Sequence, residues 1–350
     1  MCALHGGDWA GYLAEFGAMP LDFSANTSPL GLPPGVRRAA EAALEAVDRY
    51  PDPACRELRR ALAAHHAVRP AQVLCGAGAA DLIYRLALAV RPRRALLPAP
   101  TFAEYGRALE LAGCAVERAA LREGAGFVLQ EDFLARIVPG VDLVFLCEPN
   151  NPTGLLTPRP LLRRILARCE ECGAMLAVDE CFHDFLAPEA QQSLIPLLAD
   201  HPRLVVLRAF TKFYAMAGLR LGYALCGDEA LAARMAECGP PWAVSSPAQA
   251  AGLAALRETD YACRLRRLIG EERPRLAAQL RALACRVLPG QANYLLFFHP
   301  DEALVPKLRE TGVLLRDCRN FAGLCPGWYR VAVRTRPENE IFLQKLKEVL

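Results

Sequence analysis

Residues 204–222 read LVVLRAFTKFYAMAGLRLG. The run Leu204 to Leu207 is apolar throughout, holds two adjacent valines and is too short for a buried helix, so it reads as a strand covered on both faces. Thr211-Lys212 follows just beyond its carboxyl end, and Gly218-Leu219-Arg220-Leu221-Gly222 leads into a second apolar run, Leu221 to Cys226. A lysine at a strand end in apolar surroundings can shed its proton and act as an amine nucleophile. Arg220 adds a fork of donors suited to phosphate. In isolation a lysine is more often a solvated surface charge, so Lys212 gains meaning only from its company.

Four further apolar runs precede this stretch: Val73-Leu74-Cys75, Ala95-Leu96-Leu97, Val141 to Cys147 and Met175 to Val178. Helical patterns separate several of them, at Ala80 to Val90, Phe102 to Ala112 and Leu161 to Glu171. Strand–helix alternation of this kind predicts an α/β fold with a largely parallel sheet covered on both faces. Ligands of such sheets bind beyond the carboxyl ends of the strands. The first forty residues are rich in Gly and Pro and read as an arm. Helical patterns follow at Val36 to Ala46 and Arg56 to His66, separated by Tyr50-Pro51-Asp52-Pro53. Beyond Gly239 to Pro241 a long helical stretch starts near Pro247 and kinks at Pro274, followed by strand-like runs Ala292 to Phe298, Val313 to Arg316 and Tyr329 to Val333. The expected division is an N-terminal arm over 1–40 that packs on the small domain and the active site, a large domain over 41–238, and a smaller α+β C-terminal domain over 239–350.

The 350 residues are 53% hydrophobic and 23% charged, enough to bury two cores. Lys+Arg at 41 against Asp+Glu at 38 leaves a net charge of +3, and the arginines are scattered, which argues against a nucleic-acid partner. Asp8 and Glu15 near the start do not suit an export signal. The longest uncharged run, Cys238 to Leu256, contains Pro240, Pro241 and Pro247 and does not read as a membrane span. Fourteen cysteines spread over so long a chain point to reduced thiols and a cytoplasmic protein. Cys169 and Cys172 have CxxC spacing but no second pair follows, and His65-His66 reads as a solvated helical pair, so no metal is expected.

Four motifs fall after the predicted strands. Gly76-Ala77-Gly78-Ala79-Ala80 opens a helix, where glycines allow close approach and free amides attract an anion; a plain strand-to-helix turn would look the same. Asn150-Asn151-Pro152-Thr153-Gly154 offers a rigidly held amide, or an ordinary turn. Asp179-Glu180 puts a carboxylate at the end of an apolar run, where it needs a cation or a donor. Thr211-Lys212 with Arg220 is the fourth. A phosphate cradle, an amide for a ring substituent, an acid for a ring nitrogen and an amine for a Schiff base are together what pyridoxal 5'-phosphate requires.

In order and spacing these motifs resemble the fold-type I, pyridoxal-phosphate-dependent aminotransferase superfamily over nearly the whole chain. That resemblance implies a mostly parallel seven-stranded sheet in the large domain. It implies that Lys212 links covalently to the cofactor and that Asp179 keeps its ring nitrogen protonated. Asn151 would contact the ring hydroxyl, Phe102 would stack on the ring, and Arg220, Thr211, Gly78 and Ala79 would hold the phosphate. Tyr50 would reach the phosphate of a partner subunit, implying a homodimer with shared sites. His5-Gly6-Gly7, the segment Asp22 to Gly31 and the segment Thr211 to Arg220 are similar to the threonine-phosphate decarboxylases of cobalamin biosynthesis, whose nearest relatives are histidinol-phosphate aminotransferases. Those aminotransferases usually carry tyrosine where this chain has Phe182, and relatives often carry Ser or Thr where it has Ala209. The same resemblance implies His5, Gly6, Asn26, Asn151, Arg316 and Arg334 as contacts for a phosphorylated amino acid. Two guanidinium groups suit a substrate with both a phosphate and a carboxylate. Histidinol-phosphate transamination and serine-phosphate decarboxylation are the alternatives, and a non-catalytic sensor is a third.

Overall fold

In the computed structural model, which describes residues 6–350, all six apolar runs of the first two-thirds of the chain are strands of one seven-stranded sheet. Its order is Val73–Gly76, Gly222–Cys226, Leu204–Ala209, Met175–Asp179, Leu143–Cys147, Arg94–Ala99, Ala115–Ala120. Only Gly222–Cys226 runs antiparallel to its neighbours; the other pairs are parallel. Helices Arg56–His66, Arg159–Glu171 and Ser246–Ala255 bury Leu58, Leu62, Ile165 and Ala251 against one face. Helices Ala79–Val90, Ala103–Leu111 and Glu229–Glu237 bury Leu82, Leu86, Leu109 and Leu231 against the other. With both faces covered, the continuous apolar strands need no alternation.

The smaller sheet runs Arg316–Asp317, Trp328–Ala332, Tyr294–Phe298, Arg286–Val287, all antiparallel, and packs on helices Thr259–Ala282 and Arg336–Val349. Pro274 lies inside the first of these helices. The predicted run from Val313 divides: Val313–Leu314 pairs in parallel with Leu21–Asp22 of the arm, and Arg316–Asp317 joins the smaller sheet. The arm therefore serves both units, with Phe23 buried in the small core and Val36 in the large one.

Three expectations shift. The helical stretch from Pro247 is two helices, Ser246–Ala255 and Thr259–Ala282. Val244, Ala248, Ala251 and Ala255 pack into the large core, while the small core begins at Tyr261, so the expected boundary at 238 lies within residues that belong with the large sheet. His66 is not solvated: its Nε2 meets the Tyr223 hydroxyl at 2.9 Å. Burial and the nearby Arg208 cation push its imidazole down to about 3.

Candidate functional site

The carboxyl ends of the central strands converge on a cavity of about 330 Å³. Cys147 lies opposite Asp179 at adjoining strand ends, and the strand Leu204–Ala209 passes directly into a one-turn helix, Phe210–Phe213, that presents Lys212. Asp179, Lys212, Phe102, Asn151, Thr211 and Arg220 all line this space. Lys212 is only part-covered as a residue because it faces the cavity, yet its ammonium is enclosed. Desolvation, with Arg330 and Arg220 adding like charge, pulls its pKa down to about 8. Asp179 is pushed the opposite way by burial, although the Tyr105 hydroxyl donates to its Oδ2 at 2.6 Å and the Cys181 amide to its Oδ1 at 2.9 Å.

The glycine motif is fitted to Arg220. A Cβ at Gly78 would stand 2.7 Å from Nη2 of Arg220, which would have to move aside, and the φ of +87° at Gly78 is what favours glycine there. It caps the helix Ala79–Val90 without any side-chain acceptor, leaving first-turn amides for an anion. The amide of Ala77 is instead taken by Asp81 at 2.9 Å. Arg220 itself has φ +58°, a left-handed conformation uncommon for any residue other than glycine.

Across the cavity lie Arg316, Arg330, Asn26 and Gly6. Arg316 donates to Asn320 Oδ1 at 2.8 Å with Phe321 under its guanidinium at 5.5 Å. Arg330 donates to Asn151 Oδ1 at 2.5 Å and to the Ser24 carbonyl at 2.9 Å, while its buried Nε has no partner. Asn26 is 2% exposed, and neither its Oδ1 nor its Nδ2 has one. Buried polar atoms left open around one cavity mark a polar ligand rather than an apolar one. A desolvated amine, a buried acid, a helix N-terminus without a side-chain cap and two guanidinium groups thus share a space large enough for a substituted ring and a small acid.

The pattern of the family Aminotransferase class I and II matches residues 18–346. The chain belongs to this family. Among its relatives, threonine-phosphate decarboxylase of Salmonella typhimurium is 42% identical over 352 residues, covering 99% of this chain and 96% of that one. Histidinol-phosphate aminotransferase of Nitratidesulfovibrio vulgaris is 33% identical over 332 residues, covering 93% and 88%. In structure, histidinol-phosphate aminotransferase from Clostridium acetobutylicum superposes with a TM-score of 0.87 at 28% identity, covering 94% and 98%.

Within this aminotransferase-family chain, one expected substrate contact is corrected. Arg334 does not line the cavity: its Nε and Nη2 bind Glu338 Oε1 at 2.9 and 2.5 Å, and its Nη1 reaches the Asp22 carbonyl. It lies beyond the end of the strand Trp328–Ala332 and joins the capping box of the last helix. Arg330, missed in the sequence, occupies the cavity instead. Its signal was a charge inside the buried strand WYRVA, affordable only with a polar partner. Tyr105 was also missed, being read only as part of a helix.

Gly6 lines the cavity, and a Cβ there would lie 2.2 Å from the Ser24 carbonyl, so the arm lies flat on that segment. His5 falls outside the described residues. Tyr50 is 80% exposed and stacks on Trp242 at 4.6 Å, away from this chain's own cavity. Phe182 lines the cavity and meets Tyr294 edge-on at 4.9 Å; Ala209 lines it as well. Cys169 is buried, and the Cys172 thiol faces the Ile137 carbonyl at 3.3 Å. Among the described residues no group of three or more His, Cys, Asp or Glu could hold a metal ion.

Proposed function

We propose that this chain decarboxylates L-threonine O-3-phosphate to (R)-1-amino-2-propanol O-2-phosphate in cobalamin biosynthesis, with pyridoxal 5'-phosphate as its cofactor. One observation carries it: a cavity joining a desolvated lysine, a buried acid and two guanidinium groups, in a chain 42% identical over 99% of its length to a threonine-phosphate decarboxylase. The histidinol-phosphate aminotransferases stand further off, at 33% identity for the relative above.

Lys212 would carry the cofactor covalently and Asp179 would meet its ring nitrogen. Asn151 would donate to its ring hydroxyl, Phe102 would cover its face, and Arg220, Thr211 and the amides at Gly78 and Ala79 would take its phosphate. When bound, the cofactor supplies an electron sink for the pair left behind as a Cα bond breaks. The chain's own part is to choose the bond. Arg316 and Arg330 offer forked donors for the substrate's two anions, with Asn26 and Gly6 closing the same side, and so fix how the amino acid sits. The amine of Lys212, with a pKa near 8, can hold the proton that replaces the departing carboxylate. Phe182 offers no hydroxyl to the cavity, leaving Asn151 as the donor to the ring hydroxyl.

We also infer a cytoplasmic homodimer. Tyr50, Val47, Leu44 and Trp242 are all large, apolar and exposed, at 80%, 58%, 55% and 44%, the kind of patch that marks an interface. The thirteen cysteines described are free thiols, as in a reducing compartment. Among the described residues no helix is long and apolar enough to cross a membrane. The decisive assay supplies threonine phosphate, serine phosphate and histidinol phosphate with 2-oxoglutarate separately. Carbon dioxide from the first supports the proposal; glutamate from the last without carbon dioxide from the first overturns it.

A further inference from the structure

Tyr105 is fully buried at 0% exposure, and nothing in the function proposed so far uses it. It lies in the helix Ala103–Leu111, its ring stacked on Phe145 at 4.1 Å and 16° and meeting Phe102 edge-on at 5.5 Å. This clamp aims the hydroxyl at Asp179, to whose Oδ2 it donates at 2.6 Å. Burial and the adjacent carboxylate drive the phenol's pKa well above its usual value, so the group stays a neutral donor. The other oxygen, Oδ1, takes the Cys181 amide at 2.9 Å. The Cys181 thiol also bonds to the carboxylate and the Cys147 thiol stands near it, both thiols kept protonated by burial.

We propose that Tyr105 is a positioning residue that, through Asp179 Oδ2, weakens the carboxylate as a base so that a proton shared with the cofactor's ring nitrogen stays on the nitrogen. This rests on the assignment of Asp179 to that nitrogen. A carboxylate with few partners in a low-dielectric pocket becomes a strong base, and a shared proton would then settle on it, leaving a neutral pair. A short bond from a neutral phenol draws off part of that basicity. An electron sink depends on the ring being cationic, so the proton's position decides how well the site works. The backbone amide of Cys181 gives the same help but no side-chain substitution removes it. The Cys181 thiol bonds to the same carboxylate, and Tyr105→Phe isolates the phenol's own share.

The test uses the full-length protein loaded with pyridoxal phosphate labelled with 15N in the ring. Tyr105→Phe keeps the stack on Phe145 and removes only the hydroxyl; its unfolding temperature confirms an intact fold. The expected result is a ring 15N resonance at the pyridinium position in wild type that moves toward neutral pyridine in Tyr105→Phe. The pH midpoint of the cofactor's visible band should rise by on the order of one unit. A role for Tyr105 as mere packing for Phe102 would leave the resonance where it was, and that result overturns the proposal. Asp179→Asn separates the two levels. If it moves the resonance and Tyr105→Phe does not, only the role of Tyr105 fails; if Asp179→Asn leaves it unmoved, the assignment of Asp179 fails and this inference with it.

Discussion

Arg330 donates from Nη1 to Oδ1 of Asn151 at 2.5 Å, tying the middle of a small-domain strand to the loop that follows the strand Leu143–Cys147. The bond uses the amide's acceptor and leaves its Nδ2 as the group that can donate onward. An anion gathered by Arg330 and the ring hydroxyl assigned to Asn151 are therefore joined through one side chain.

Arg330→Lys should lower kcat/KM for threonine phosphate by about a hundredfold, since a buried guanidinium with charge-assisted bonds is worth roughly 3 kcal/mol. Arg334→Lys should stay within a few fold, because Arg334 serves the last helix and not the cavity. Steady-state kinetics on the two variants decides between them; equal losses would return Arg334 to the site.

Lys212→Ala should abolish turnover and leave the circular dichroism spectrum unchanged. It also isolates a pH effect in the cofactor-free protein. The amine titrates near 8 folded against 10.5 for a free lysine, so between those values the unfolded state binds more protons and stability rises with pH. Buried thiols and phenols oppose this trend, so the quantity to measure is the urea-unfolding free energy of wild type minus that of Lys212→Ala. That difference should become more favourable to wild type from pH 8 to 10.5 and be flat below 8.

Phe182→Tyr would place a hydroxyl where the related aminotransferases usually have one. A new hydrogen bond to the ionised ring hydroxyl is worth about 1.5 kcal/mol, which converts to a fall of about one unit in the pH midpoint of the bound cofactor's absorbance. A spectrophotometric titration reads it directly, and an unmoved midpoint would mean the ring of Phe182 does not face that oxygen.

Sharing of sites between subunits has a clean genetic test. Tyr50→Ala and Lys212→Ala proteins, each nearly inactive, should regain activity when their subunits are exchanged. If Tyr50 serves the partner, the mixed dimer holds one site with both residues intact. If it acts within its own chain, no mixed species has an intact site and activity stays near zero.

The large sheet was legible because strands buried on both faces leave continuous apolar runs, and the motif after each run then fell into place. Ala115–Ala120 escaped notice for the same reason reversed: at the edge of the sheet, half-exposed and carrying Glu117 and Arg118, it has no such run. The gap between Ser246–Ala255 and Thr259–Ala282 contains neither Gly nor Pro, so nothing local announced it. Lys212 and Asp179 stood out at strand ends, whereas the choice between Arg330 and Arg334 depended on where the last strand stops. Tyr105 could not have been found from spacing at all, since its partner lies 74 residues away.

The interleaving of the two cores has a practical side. A fragment stopped at residue 238 would lose Val244, Ala248, Ala251 and Ala255, stripping a helix from one face of the main sheet and baring Leu58 and Leu221 beneath Gly252. Anyone wishing to express that half by itself should carry the chain on through Glu258. Even then the product would be a cofactor cradle without Arg316 or Arg330, able at best to hold the vitamin and blind to the amino acid.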